Sequence, residues 1–242
     1  MQIHQYFHTP SPQQMSALAV FGKTFTTLTA TLIFTGGANG ALITGLTIQS
    51  ATIGGNSNMS PSDAIDGTGL SGGVPALSGT HSTTWSTHWW GSTKTPQITI
   101  DLEGAYSLDM IQIWNHNESG NGPSRGLQEV AIYVAADENE ANLIKLITDT
   151  TGSHDNASGD FILPKATGLT DYTGFSLDLS GVTNSAVISN ARLVRIQALN
   201  TYGDNHGGLA EVQFSGTAIP EPSMGFMLTL TGLGLALRRC RK

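Results

Sequence analysis

The chain has 242 residues, of which 39% are hydrophobic and only 12% charged, with 29 glycines and one cysteine. That mix argues against a helical bundle or coiled coil, which needs long periodic runs of Ala, Glu, Lys and Leu, and a lone cysteine excludes an internal disulfide. Of the 11 basic residues only 6 fall in the segment 41–222, which holds all 18 carboxylates and so carries a formal charge of −12; such a body repels phosphate backbones and anionic headgroups, which argues against nucleic-acid binding.

The first element in the chain is an apolar stretch over residues 16–38 that closes on small residues, Ala38-Asn39-Gly40. It reads as a signal peptide, residues 1–40, ending in a small-x-small cleavage pattern. The first fourteen residues contain no Lys or Arg and Lys23 sits inside the stretch, so either Met1 or Met15 is the start; with Met15, the Met15–Lys23 segment becomes the basic lead-in. The alternative is a buried core helix, against which the Gly-rich end and the missing helix cap both speak.

From about 42 to 217 no linker or internal repeat divides the chain, and period-2 apolar runs recur. They place Ile98, Ile100 and Leu102 on one strand face, then Ile111 and Ile113, then Val130, Ile132 and Val134. Phe175, Leu177 and Leu179 follow, then Val194, Ile196 and Ala198, and finally Val212 and Phe214. Each run is bounded by Gly, Asn, Asp, Ser or Pro. The fold class expected is all-β, an antiparallel β-sandwich, flanked by hydrophobic helical signal segments at both ends. Residues 137–147 fit a short helix or a charged turn leading into a strand.

At the C-terminus, Pro220-Glu221-Pro222 precedes an uncharged run, Met224–Leu237, and then Arg-Arg-Cys-Arg-Lys. Fourteen residues span about 21 Å as a helix, short of a ~30 Å hydrocarbon core. Triplet, apolar run and basic tail together resemble the PEP-CTERM sorting signal of Gram-negative bacteria. The resemblance implies export, transient inner-membrane attachment through residues 218–242, cleavage near the triplet by an exosortase, and delivery to the cell surface or extracellular matrix. An ordinary single-pass anchor is the alternative.

Four blocks in the body occur in a characteristic order: AIDGTG (64–69) followed by a Thr-rich approach to Trp85, QITIDLEGAYSLDMIQIWN (97–115), SRGLQEVAIYVAADE (124–138) and ARLVRIQALNTYGDNHGGLAEVQFSG (191–216). Together they resemble the galactose-binding-like jelly roll, the group of coagulation factor 5/8 type C (discoidin) domains and family 32 carbohydrate-binding modules. The resemblance covers most of 45–217; the stretch 139–190 departs from it, as does Ala135-Ala136-Asp137-Glu138. It implies that Trp85 is core. It also implies a structural Ca²⁺ bridging the first loop, through Asp63, Asp66 and Thr68, to Glu211 at the start of the last strand, since Ca²⁺ takes six to eight oxygens. On the residues alone, Asp66 reads rather as a turn residue bonded to its own backbone and Glu211 as a solvated carboxylate; it is the resemblance that favours calcium.

The candidate ligand-binding residues are loop aromatics and polar groups. Trp89 and Trp90 are adjacent, so on a strand they face opposite sides, and an exposed indole can stack on the apolar face of a sugar ring. His88 precedes them. Asn115 and His116 end one strand, Arg125 opens the next, and Asn205 and His206 lie before the last strand; Asn, His and Arg suit fixed hydrogen bonds to hydroxyls. Each is also compatible with turn geometry or plain solvation. The 155–160 turn reads as a plain turn rather than a second cation loop. There is no H-E-x-x-H, no P-loop, no nucleophile elbow and no G-x-G-x-x-G following a strand, and Cys240 lies in the tail. The expected function is therefore non-catalytic binding of a glycan or exopolysaccharide by an exported domain. A structural or adhesive protein that binds another protein is the first alternative, and a hydrolase with an unfamiliar pair of carboxylates the second.

Overall fold

A computed structural model describes residues 40–54, 58–148, 158 and 160–220. The expected signal peptide (apart from Gly40), the tail from Glu221 onward and most of the 155–160 turn lie outside the described residues. Among the described residues the regular elements are strands and short 3-10 turns. In chain order the strands are β1 (Ala41–Leu42), β2 (Thr47–Ala51), β3 (Trp89–Gly91), β4 (Gln97–Asn115), β5 (Leu127–Ala135), β6 (Ile144–Lys145), β7 (Phe161–Ile162), β8 (Phe175–Asp178), β9 (Ala191–Thr201) and β10 (Gly207–Ala218). All strand–strand pairings are antiparallel.

The apolar runs at 98–102 and 111–113 lie on one strand, β4, nineteen residues long. Glu103 turns it with φ +57°, a left-handed conformation rare outside glycine, and the register on β9 jumps from Asp101↔Leu193 to Tyr106↔Ala191. The first half of β4 pairs with β2 and β9, and the second half with β10 and β8. β5 extends the first group through β9 and carries β6 and β7; β10 carries β1 and β3. One long strand thus feeds both layers of a β-sandwich.

The apolar faces meet in one core. Ile98, Ile100, Leu102, Val130, Ile132, Val134, Val194 and Ile196 are fully buried in it, together with Ile111, Ile113, Val212 and Phe214. Each such side chain contributes about 1.5–3 kcal/mol by leaving water. The charged segment between β5 and β6 is one short 3-10 helix, Glu140–Asn142, that leads into β6. Trp85 departs from its expected core position: it stands on a 3-10 turn and is 40% exposed. Trp114, by contrast, is fully buried, packed with Leu70, Ala166, Tyr172 and Ala210, its Nε1 donating to the Gly79 carbonyl at 3.1 Å.

Candidate functional site

The site lies where β4 ends, β3 begins and the loops before β5 and β10 meet. Asn115, the last residue of β4, fixes this junction. Its Nδ2 donates to the carbonyls of Leu127 (2.7 Å) and Pro164 (2.9 Å), and its Oδ1 accepts from the amides of Leu127 (2.7 Å) and His116 (3.0 Å). Asn117 repeats the device two residues on, holding the carbonyls of His81 and Leu169 and the amide of Gly168. β3 lies so close to β10 that a Cβ at Gly208 would stand 2.1 Å from the Trp89 carbonyl oxygen; only glycine lets the two backbones pair there.

On that scaffold Trp89 and Trp90 point opposite ways. Trp89 is fully buried and donates through Nε1 to the Thr52 carbonyl at 3.1 Å. Trp90 is half-buried, with His206 against its ring at 4.5 Å between centroids and the Arg125 guanidinium 5.2 Å from its centre. Arg125 is bonded to Glu118 and lies 3.6 Å from Asp204, while Asp204 also holds the His206 ring nitrogen at 3.1 Å. Glu118 sits below the usual carboxylate range, first through its bond to His116 and then through Arg125; Asp204 is held below its usual value by its bonds to His206 and by Arg125, against the opposing effect of burial. Both are therefore carboxylates at neutral pH. The result is an indole with one guanidinium over its ring and one imidazole tilted against it, accompanied by two ionised acids, with Asn205 exposed nearby.

The other expected ligand-binding residues are corrected by burial. His88 and His116 are 0% exposed, Trp89 likewise and Asn115 1%, so none has a surface to offer a ligand. His81 is buried beside His88 although no sequence pattern singled it out; its ring lies 4.9 Å from that of His88, which lies 4.7 Å from that of His116. Glu118 and Asp204, the partners of Arg125, were also missed, since carboxylates in polar loops carry no local signature. Gly69-Leu70-Ser71-Gly72-Gly73 does have G-x-S-x-G spacing, which the sequence reading passed over. It is a loop with neither strand before nor helix after, and Ser71 Oγ accepts only from the Thr80 amide at 3.4 Å, so it is no nucleophile elbow.

The first loop and the last strand meet a short way from Trp90. The Gly67 amide donates to both oxygens of Glu211 at 3.2 Å, and Gln213 Nε2 donates to Glu211 and to the Ile65 carbonyl. Glu211 is fully buried, and desolvation pushes its carboxyl up to about 8, with Asp66 and Asp63 adding to the rise. Asp66 and Thr68 are exposed; Asp66 Oδ1 accepts from the Thr68 amide at 2.7 Å, while Asp63 Oδ2 caps the Ser60 amide at 2.8 Å. Gln213 Oε1 is buried and has no partner. Among the described residues no three His, Cys, Asp or Glu side chains form a cation cage by themselves.

No protein-family model matches the chain, and no curated protein matches it. Among solved structures it is similar to a family 89 glycoside hydrolase from Clostridium perfringens in complex with 2-acetamido-1,2-dideoxynojirmycin, with TM-score 0.44 and 21% identity over 75% of this chain; the chain spans 16% of that protein's length. It is similar to CBM32-3 from a family 31 glycoside hydrolase of the same species, with TM-score 0.45 and 19% identity, covering 71% of this chain and 91% of that one. The F5/8 type C domain of a Bacteroides fragilis protein gives 0.49 and 14%, covering 76% of this chain and all of that domain. At these scores and identities the likeness says nothing of ligand or activity.

Proposed function

We propose that the chain is an exported, non-catalytic protein that binds neutral carbohydrate at the loop end of its β-sandwich. The observation that carries this reading is the half-buried Trp90 ring set between His206 and an Arg125 whose charge is more than balanced by Glu118 and Asp204. An indole face buries the C–H face of a sugar at little entropy cost, and the groups around it both donate and accept. One cation against two anions repels uronate and sulfate, so the platform favours uncharged sugars. The sequence resemblance to family 32 carbohydrate-binding modules agrees with this.

Catalysis by the carboxylates at this end is disfavoured. Glycoside cleavage needs one carboxyl kept protonated as general acid. Glu118 and Asp204 are both held ionised, and Glu211, which holds a proton, has no surface.

A structural Ca²⁺ fits the loop behind the platform. Glu211 is buried with carboxylates as its charged neighbours and no cation to balance it, and Gln213 Oε1 beside it lacks a partner. Glu211, Asp66, Thr68 and the Asp63 segment would hold the ion, whose charge would offset the burial of Glu211. Export rests on the two end segments: the signal peptide closing at Gly40, and the PEP-CTERM-like tail opening at Pro220, Glu221 and Pro222, which would pass through transient membrane attachment and an exosortase to the cell surface or matrix.

Calorimetric titration with galactose- and N-acetylglucosamine-terminated neutral oligosaccharides at millimolar concentration tests the reading. Binding weakened about tenfold in Trp90→Ala and kept in Trp85→Ala supports it; no heat with any of them overturns it. A second reading, an adhesive surface that binds protein, is favoured by exposed Trp85 (40%), Val74 (59%) and Leu169 (59%) on loops of the same end. It predicts that Trp85→Ala, not Trp90→Ala, abolishes attachment.

A further inference from the structure

Behind the Trp90 platform lies a feature that sugar binding does not use. His81, His88 and His116 come from three separate segments: the long first loop, the approach to β3 and the end of β4. All are 0% exposed and their rings are in contact, 4.9 Å between His81 and His88 and 4.7 Å between His88 and His116. Each ring has one nitrogen fixed and the other bare. His81 Nδ1 meets the Ser82 carbonyl at 3.0 Å, His88 Nδ1 the Thr84 carbonyl at 2.8 Å, and His116 Nε2 the Glu118 carboxylate at 3.3 Å. The opposite nitrogens, His81 Nε2, His88 Nε2 and His116 Nδ1, are buried with no hydrogen-bond partner.

A neutral imidazole suits such a place, with its N–H on the acceptor and a lone pair inward. An imidazolium does not. It would carry a second N–H that makes no hydrogen bond in this packing, out of water and beside two other rings. Among the described residues no three His, Cys, Asp or Glu side chains are arranged to hold a metal ion. The charged groups facing it are few. Glu118 and Arg125 act on His116 with opposite sign, Asp66 acts on His81, and the three rings act on one another; the carbonyls of Thr84 and Trp85 face His88, and that of Trp89 faces His116. Burial is the largest influence on all three rings and lowers each, His88 to about 2.

The cluster also connects to the platform. His116 holds Glu118, Glu118 holds Arg125, and Arg125 lies over Trp90; His88 directly precedes β3, which carries Trp90. Packing is tight on the loop side too: a Cβ at Gly69 would stand 2.6 Å from the His81 ring.

We propose that the three rings are an acid-released latch for the recognition end: uncharged, they hold the first loop, β3 and the end of β4 together, and on protonation they part and the Trp90 platform loses its shape and its ligand. The ligand half of this rests on the sugar reading above; the opening does not.

The experiment uses the full chain without ligand. Histidine ring-proton NMR and tryptophan fluorescence are followed together from about pH 8 to about pH 4.5, a range that spans the ordinary histidine value. The latch gives rings that stay neutral through pH 6.5 and then take up protons steeply together with a change in the tryptophan signal. In His88→Phe, which keeps a ring and removes one proton site, the tryptophan change becomes less steep and its midpoint falls by about one pH unit. Rings that titrate one by one near 6.5 with no tryptophan change overturn the proposal, as does a tryptophan transition identical in wild type and His88→Phe. Titration with lactose and with chitotriose at both ends of the range supplies the second arm. Affinity at least about tenfold weaker in acid, with the loss shifted in His88→Phe, ties release to the latch. Absence of sugar binding at neutral pH sinks the sugar reading and leaves the opening to be judged by the first arm.

Discussion

The Asn115 amide uses all of its hydrogen-bonding capacity inside the protein, on the ends of β4 and β5 and on the Pro164 segment. Sequence reading placed it with the sugar contacts because an Asn at a strand end looks the same in either role. Burial separates the two. Asn115→Ala leaves two carbonyls and two amides at a buried junction without their partners, and an orphaned buried polar group costs about 1–3 kcal/mol, so a loss of roughly 3 kcal/mol is expected even after partial rearrangement. Urea unfolding with an unchanged m-value checks this. The Trp pair divides the same way. Trp89→Ala empties a filled core site and costs about 3–5 kcal/mol, whereas Trp90→Ala removes a half-exposed ring and acts on ligand affinity, by about tenfold, with little change in unfolding. Equal stability losses in both variants would contradict the orientation of β3.

At the scale of elements, β3 on β10 decides how the platform stands. Gly208 pairs with Trp90, and a Cβ there would meet the Trp89 carbonyl at 2.1 Å. Gly208→Ala forces β3 away from β10, at about 1–3 kcal/mol for overpacking, and tilts Trp90 away from Arg125 and His206. Both effects are readable, one by thermal unfolding and one by sugar titration; a variant that loses neither stability nor affinity would show that β3 is not clamped. The same strand shows what the sequence could and could not tell. Alternation over β4, β5, β9 and β10 was visible because those strands are long and bury one apolar face, which imposes period 2. β1, β3, β6 and β7 are two or three residues long, too short for any period, and exist only because β10 and β5 offer an edge. The continuity of β4 through Glu103 was hidden for another reason. A charged residue followed by glycine reads as a turn, and here the left-handed residue bends a strand without ending it. Of the candidate site, Trp90, Arg125 and His206 were legible as types suited to binding. Their convergence, and the burial of His88 and His116, depend on contacts between segments tens of residues apart.

Over the whole molecule, the described chain enters and leaves at the end opposite the platform. Gly40 lies against Gly216 and Asp109, and the Ile219 amide bonds to the Ala105 carbonyl, whereas Trp90, Asn115, Arg125 and His206 gather at the other end. A domain tethered through its tail would therefore present its loops outward. Its stability should be squeezed from two sides of neutral pH. The folded-state values of His81, His88 and His116 lie below the ordinary 6.5, so as pH falls through 6.5 the unfolded chain takes up protons that the folded chain refuses, and stability drops. Glu211 works in the other direction. Its folded-state value, about 8, lies above the ordinary 4.5, so between those limits the folded chain keeps a proton that the unfolded chain has lost, and stability drops as pH rises. Calcium enters on this second limb, because a Glu211 that holds the ion must release its proton. At about pH 7, saturating Ca²⁺ should raise the melting temperature and expel close to one proton per ion bound, seen as a buffer-dependent binding enthalpy. Chelation should restore the decline between pH 6.5 and 8, and Glu211→Gln, which keeps the shape and removes the titration, should abolish both that decline and the response to calcium. A melting temperature that ignores chelator at every pH would remove the ion and leave Glu211 a buried, protonated acid bonded to Gly67 and Gln213.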